Sequence, residues 1–271
     1  MKKKFTIIGS GIAGVNAALT LLEKGYEVEI LDYGMLDSAP LDTSKTFKNV
    51  KNDYQFAANF FYGDDLSGIN QAGDTDIFKY PKRRKSISTI NLYENEEDTN
   101  QFQPIFSNCK GGLAVAWGAN SIEFNQDDMI GFEYDKQDIE TAYIKAYKRL
   151  HVSGPVNDDD LSTIVNASYK FNSSHGICSS DDIFKKSSLF KYKFFPKNKN
   201  VLIGQSRLAI NTDPNSNKKC NSCGLCIWGC PSDAIYTPLN TIKECQKFDN
   251  FKYINDIKVS YFLSNKEVIK Y

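Results

Sequence analysis

Four of the seven cysteines in this 271-residue chain fall in one run, Cys220-x2-Cys223-x2-Cys226-x3-Cys230, closed by Pro231. Thiolates presented at this spacing can converge on one iron–sulfur cube, each taking a different iron. Zinc fits less well, because structural zinc sites separate two cysteine pairs by a longer spacer. The spacing assigns Cys220, Cys223 and Cys226 as ligands of a [4Fe-4S] or [3Fe-4S] cluster, with Cys230 as the remaining metal candidate of the run. Several completions stay open: Cys230 folds back, Cys109, Cys178 or Cys245 completes the cube, or only three irons are held. Considered singly, Cys109, Cys178 and Cys245 read as small buried hydrophobes. A compact cysteine-rich loop without metal is the plain structural alternative. An odd cysteine count crowded in this way does not suit a secreted disulfide framework. It suits a reducing compartment, and the cytoplasm is the expected location.

A second set of residues points to nucleotide chemistry. Phe5-Thr-Ile-Ile8 is a short apolar run suited to a buried parallel strand, followed by Gly9, Gly11 and Gly14. At that spacing Gly9 makes the tight turn, Gly11 lets backbone approach a pyrophosphate, and Gly14 allows close helix–strand packing. Ile12 to Lys24 then places Val15, Ala18, Leu19 and Leu22 on one helical face, with Gly25 as C-cap. A strand over Tyr26 to Leu31 ends at Asp32, whose carboxylate can accept hydroxyls of an adenosine ribose. The helix N-terminus offers free N–H groups and a positive dipole end to phosphates. A signal peptide is the competing reading of the N-terminus. Gly9-Ser10-Gly11 interrupts its apolar stretch, however, and no small-residue cleavage site follows.

These residues require elements to hold them. The expected fold is α/β, a Rossmann-like domain discontinuous in sequence, with strands near 3–8, 26–31 and 252–260 sharing one sheet. Its organisation is a βαβ start over 1–35, an irregular excursion over 36–104, and a second glycine segment with its helix over 105–155. A cap or substrate-side region follows over 156–219, then the cysteine segment over 220–236 and a return to the sheet over 237–271. Asp135 can cap a helix carrying Ile139, Ala142, Tyr143, Ala146, Tyr147 and Leu150 on one stripe. Val201-Leu-Ile203 reads as a strand, and the C-terminal stretch from Lys252 as two short strands about a Ser-Asn-Lys turn. Gly111-Gly112 would let backbone amides approach a phosphate or ring closely, or would serve a tight crossing in the core.

Lysine plus arginine equals aspartate plus glutamate at 33 each, so no net field gathers nucleic acid or an anionic membrane. No apolar stretch reaches membrane-spanning length. Neither nucleic acid nor a membrane is an expected partner.

Three blocks resemble, in order, the glucose–methanol–choline (GMC) oxidoreductase family. They are the Gly9–Asp32 unit, Gly111-Gly112-x4-Trp117-Gly118-Ala119, and Phe132 through Tyr143 to Leu150-His-Val-Ser-Gly154. The cysteine run with Pro231-Ser-Asp-Ala-Ile235 resembles bacterial ferredoxins, where the last cysteine serves a second cluster. The GMC resemblance implies an FAD-binding domain in which Gly111, Gly112, Trp117 and Gly118 line flavin and pyrophosphate, and Val259 lies on the strand touching adenine. It implies oxidation of a CH–OH group of an alcohol, polyol or sugar by hydride transfer to flavin; a cluster near that flavin would make the chain a dehydrogenase passing single electrons to an acceptor protein. It covers only the N-terminal portion of a typical member. The catalytic histidine pair lies beyond the match, His151 and His175 do not correspond to it, and the catalytic residues are therefore unknown. The expected cap region is correspondingly incomplete. Alternative readings are an iron–sulfur electron-transfer protein with a nucleotide-binding fold, and a non-catalytic remnant.

Overall fold

The computed structural model describes residues 3–36, 52, 58–59, 107–155, 160–163, 204–226, 230–264 and 267–269. The chain divides into two units, one of residues 1–41, 51–117 and 237–271, the other of 42–50 and 118–236. Almost all of the expected excursion, the expected strand at 201–203, His175 and Cys178 lie outside the described residues.

The first unit is built on a parallel sheet of β1 (Lys4–Ile8), β2 (Glu27–Leu31) and β5 (Phe251–Ile254), in the order β1-β2-β5. Lys4 pairs with Glu27 at one end of the first ladder and Ile8 with Leu31 at the other. Leu31 also pairs with Ile254. The C-terminal strand thus returns to a sheet begun more than 200 residues earlier, so the fold is discontinuous as expected. The central strand β2 buries Val28 and Ile30 completely. β1 was expected to be buried on both faces, but it alternates, and Ile8 is 45% exposed. Among the described residues β1 lies at an edge, where only one face gains cover.

Helix α1 (Ile12–Glu23) buries Val15, Ala18 and Leu22, which recur at helical spacing. It stops in a Schellman arrangement. Gly25 N–H bonds Leu22 O at 2.8 Å and Tyr26 N–H bonds Leu21 O at 3.1 Å. Helix α3 (Pro238–Cys245) starts with proline at its first turn, where no N–H is needed, and buries Ile242 and Cys245. The two helices pack together with β2 into one core of Val15, Ala18, Leu22, Val28, Ile30, Ile242 and Cys245. Its large aliphatic side chains contribute roughly 1.5–3 kcal/mol apiece.

In the second unit, helix α2 (Lys136–Arg149) is capped by Asp135, whose Oδ1 accepts from Gln137 N–H at 2.8 Å and Asp138 N–H at 3.2 Å. Tyr147 and Leu150 are buried as expected, but Ala142 is exposed. The apolar stripe is narrower than its periodicity suggests. The helix ends before His151, which adopts a left-handed conformation at φ 51°. A two-stranded antiparallel pair, β3 (Val152–Ser153) with β4 (Leu208–Ala209), follows. The hydroxyl of Tyr147 donates to Ser121 O at 2.8 Å. Burial, then the carboxylate of Glu123, raises its pKa, so it remains a donor. Back in the first unit, at the C-terminus, β6 (Phe262–Ser264) and β7 (Glu267–Ile269) form the expected hairpin. No helix is long and apolar enough to cross a membrane among the described residues.

Candidate nucleotide cradle and cysteine centre

The glycine turn leaves β1 and enters α1 with each glycine in a distinct role. Gly9 takes φ 85°, and a Cβ on Gly14 would stand 2.1 Å from Gly9 O, so only glycine lets the helix come this close. A Cβ on Gly11 would meet nothing within 4 Å, so this face of the turn is open. Gly11 is also the N-cap of α1, extended, with no side-chain cap and no acid in the first turn. The first N–H groups and the positive end of the dipole are therefore not neutralised locally.

Asp32, just past β2, is 9% exposed. The expectation gave its carboxylate to a ribose alone, whereas two side chains already hold it. Ser10 Oγ donates to Oδ2 in a short bond, and the Tyr253 hydroxyl donates to the same oxygen at 2.6 Å. Burial, then the hydrogen bond and charge of Asp32, raises the Tyr253 pKa, so the phenol stays a donor. The Lys110 ammonium lies over the Tyr253 ring, 4.3 Å from its centroid, a cation–π contact.

The second glycine segment meets the first. Gly111, at φ 93°, donates its N–H to Ser10 Oγ at 2.7 Å, and a Cβ on Gly112 would approach Gly11 Cα at 3.4 Å. Met35 N–H bonds Asn108 O at 2.9 Å and Lys110 N–H bonds Met35 O at 2.8 Å, which ties the segment to the chain leaving β2. Gly9, Gly11, Gly14, Asp32, Gly111 and Gly112 therefore gather in one unit. Trp117 is half-buried and Gly118 exposed. Val259 is half-buried and lies past the end of β5, which closes at Ile254. The side chain that β5 brings to Asp32 is Tyr253. Its role was missed because pairing with Asp32 depends on a parallel register set across the whole chain.

The cysteine run is looped back on one short stretch of backbone. Cys220 N–H bonds Asn211 O at 2.8 Å, Asn211 N–H bonds Ala234 O at 2.8 Å, and Tyr236 N–H bonds Ala209 O at 2.9 Å. Left-handed residues Ser222, Gly224 and Asp233 make the reversals. Cys220 Sγ accepts from Ser222 N–H at 3.4 Å, and Cys230 Sγ from Ala234 N–H at 3.2 Å. Backbone donors aimed at sulfur are what a thiolate ligand needs. Burial, then the neighbouring thiols of Cys220, Cys230 and Cys223, pushes the Cys226 thiol up to about 11. Burial raises Cys223 as well. Among the described residues no three His, Cys, Asp or Glu side chains converge as ligands of a single ion. Four cysteines spaced C-x2-C-x2-C-x3-C, without the longer spacer between two pairs that structural zinc sites use, suit an iron–sulfur cluster better than zinc.

Cys109 and Cys245 are core residues of the first unit, as small buried hydrophobes are expected to be. Cys109 packs with Val115 and Ala116, and Cys245 with Val15, Ala18 and Leu22. No disulfide forms among the described cysteines.

The 4Fe-4S binding domain model matches residues 216–236, which contain the whole run. No curated protein matches the chain. The match supports an iron–sulfur cluster as a cofactor, and the segment is similar to the cluster-binding part of ferredoxin-type proteins.

Proposed function

We propose that the chain is a redox protein whose cysteine run carries electrons through an iron–sulfur cluster and whose first unit binds FAD. The observation that carries this reading is the 4Fe-4S match over 216–236 on a loop whose terminal sulfurs accept backbone N–H bonds. Cys220, Cys223 and Cys226 would hold the cluster, with Cys230 beside them. Gly11, the N-terminus of α1, Asp32 and Gly111-Gly112 would hold the nucleotide. When bound, FAD supplies two-electron chemistry and the cluster one-electron chemistry. The chain's own part is to present uncapped N–H groups to phosphate, a buried carboxylate to ribose, and an open glycine face to the dinucleotide.

A second reading, a GMC-type FAD oxidoreductase acting on the CH–OH group of an alcohol, polyol or sugar, is favoured by one observation. The Gly111 N–H to Ser10 bond joins the two glycine blocks that the resemblance assigns to one flavin.

The test is an absorption spectrum of protein purified without air, with iron, sulfide and released flavin measured on the same sample. Iron and sulfide in stoichiometric amounts together with flavin support the proposal. Flavin without iron leaves the GMC reading and makes the cysteines structural. Iron and sulfide without flavin leave an electron carrier. A colourless, metal-free protein overturns both readings and leaves a non-catalytic remnant.

A further inference from the structure

Asp32 is nine-tenths buried, yet both side-chain hydrogen bonds to it arrive at one oxygen. Ser10 Oγ and Tyr253 Oη donate to Oδ2, and Oδ1 has no partner among the described residues. Oδ1 is not among the fully enclosed unpaired atoms, so it is the oxygen of this carboxylate left open to a donor from outside. The donors on Oδ2 are themselves held. The single hydroxyl proton of Ser10 goes to Asp32 while its lone pair accepts Gly111 N–H at 2.7 Å. Tyr253 is held by the chain leaving β2. A Cβ on Gly34 would meet Tyr253 Oη at 3.0 Å and Asn255 Cβ at 2.9 Å, so Gly34 passes close against it. The Lys110 ammonium covers the ring. The carboxylate therefore cannot turn to offer both oxygens without breaking two bonds.

We infer that Tyr253 and Ser10 are positioning residues that reserve Oδ1 of Asp32 as the single acceptor for one hydroxyl of an adenosine ribose. A carboxylate free on both oxygens can grip the 2′ and 3′ hydroxyls together; this one takes one of the pair. The inference rests on the nucleotide reading of the first unit and adds to it which ribose contact the site makes.

The experiment is calorimetric titration of the full chain with ADP, 2′-deoxy-ADP, 3′-deoxy-ADP and inorganic pyrophosphate. One deoxy analogue is expected to bind about tenfold more weakly than ADP, the scale of one hydrogen bond to a charged group, and the other as ADP does. Tyr253→Phe is expected to weaken ADP binding severalfold and reduce the difference between the two analogues, while pyrophosphate affinity stays unchanged. Ser10→Ala is expected to reduce the difference between the analogues likewise, with some loss of pyrophosphate affinity because Gly111 N–H also loses its acceptor, and Ser10→Thr is expected to restore binding because the hydroxyl returns. Equal losses with both analogues, or none with either, overturn the inference while leaving the nucleotide reading standing. A parallel loss of ADP and pyrophosphate in Tyr253→Phe also overturns it, since that marks a general structural defect. Failure of the unaltered chain to bind either ADP or pyrophosphate overturns the nucleotide reading itself, and the inference with it.

Discussion

Ser10 and Gly111 stand 101 positions apart, yet the Gly111 N–H donates to the Ser10 hydroxyl at 2.7 Å. This bond closes one cradle from two glycine segments that local sequence could only describe separately. It also makes Gly111 doubly constrained. Its φ of 93° disfavours a side chain, and an added Cβ would stand 2.7 Å from Val115 Cγ1. Gly111→Ala is expected to cost about 1–3 kcal/mol in denaturant unfolding, the range for strained backbone and overpacking.

Gly14→Ala is expected to be more severe. The new methyl would meet backbone, Gly9 O at 2.1 Å, and backbone yields less readily than a side-chain tip. The helix must move away from the turn. Thermal melting should fall, and a crystal or exchange measurement should find the first turn of α1 displaced. A variant melting within a degree or two of the parent would sink this packing argument.

Asp135→Ala removes the acceptor of two N–H groups at the start of α2 and should cost about 1 kcal/mol. Asp135→Asn keeps an oxygen in place and should recover most of that. Urea unfolding of the three proteins checks the ordering. Equal stability of all three would mean that water satisfies the helix end as well.

Acid should remove the contribution of the pair on the first ladder. Lys4 Nζ lies 2.8 Å from Glu29 Oε2, and Thr6 donates to Oε1 at 2.7 Å. The Lys4 bond first, then Thr6, holds the Glu29 carboxyl below its usual 4.5. A lowered folded pKa means the contribution is present above the unfolded value and is lost as pH falls through the folded one. Glu29→Gln should therefore flatten the fall in melting temperature between about pH 5 and 3. Identical acid profiles would show the pair to be neutral, as many exposed pairs are.

Removing the metal should reveal the burial of Cys226. With its thiol pushed up to about 11, alkylation of the metal-free chain by iodoacetamide should be slow at neutral pH. It should accelerate towards pH 11. Mass spectrometry of the 216–236 segment reads this directly. Rapid modification of Cys226 at pH 7 would mean that the loop opens once the metal is gone.

The sequence by itself determined the elements whose signals are local. Helix α1 was legible because Val15, Ala18 and Leu22 recur at the helical period and Gly25 stops them; α2 was legible from Asp135 and its stripe. The three glycine roles and the ligand spacing of Cys220, Cys223 and Cys226 were equally local, since each rests on residues close in the chain. Only the tertiary structure decided what Asp32 touches. Its partners come from the preceding turn and from a strand 221 positions later. A parallel ladder brings them together, and no short-range periodicity encodes its register. The same reason left Cys109 and Cys245 with two readings, and the structure makes both core residues. A lone cysteine has the same sequence signature as a ligand or as a small apolar core residue, and only its packing partners distinguish the two.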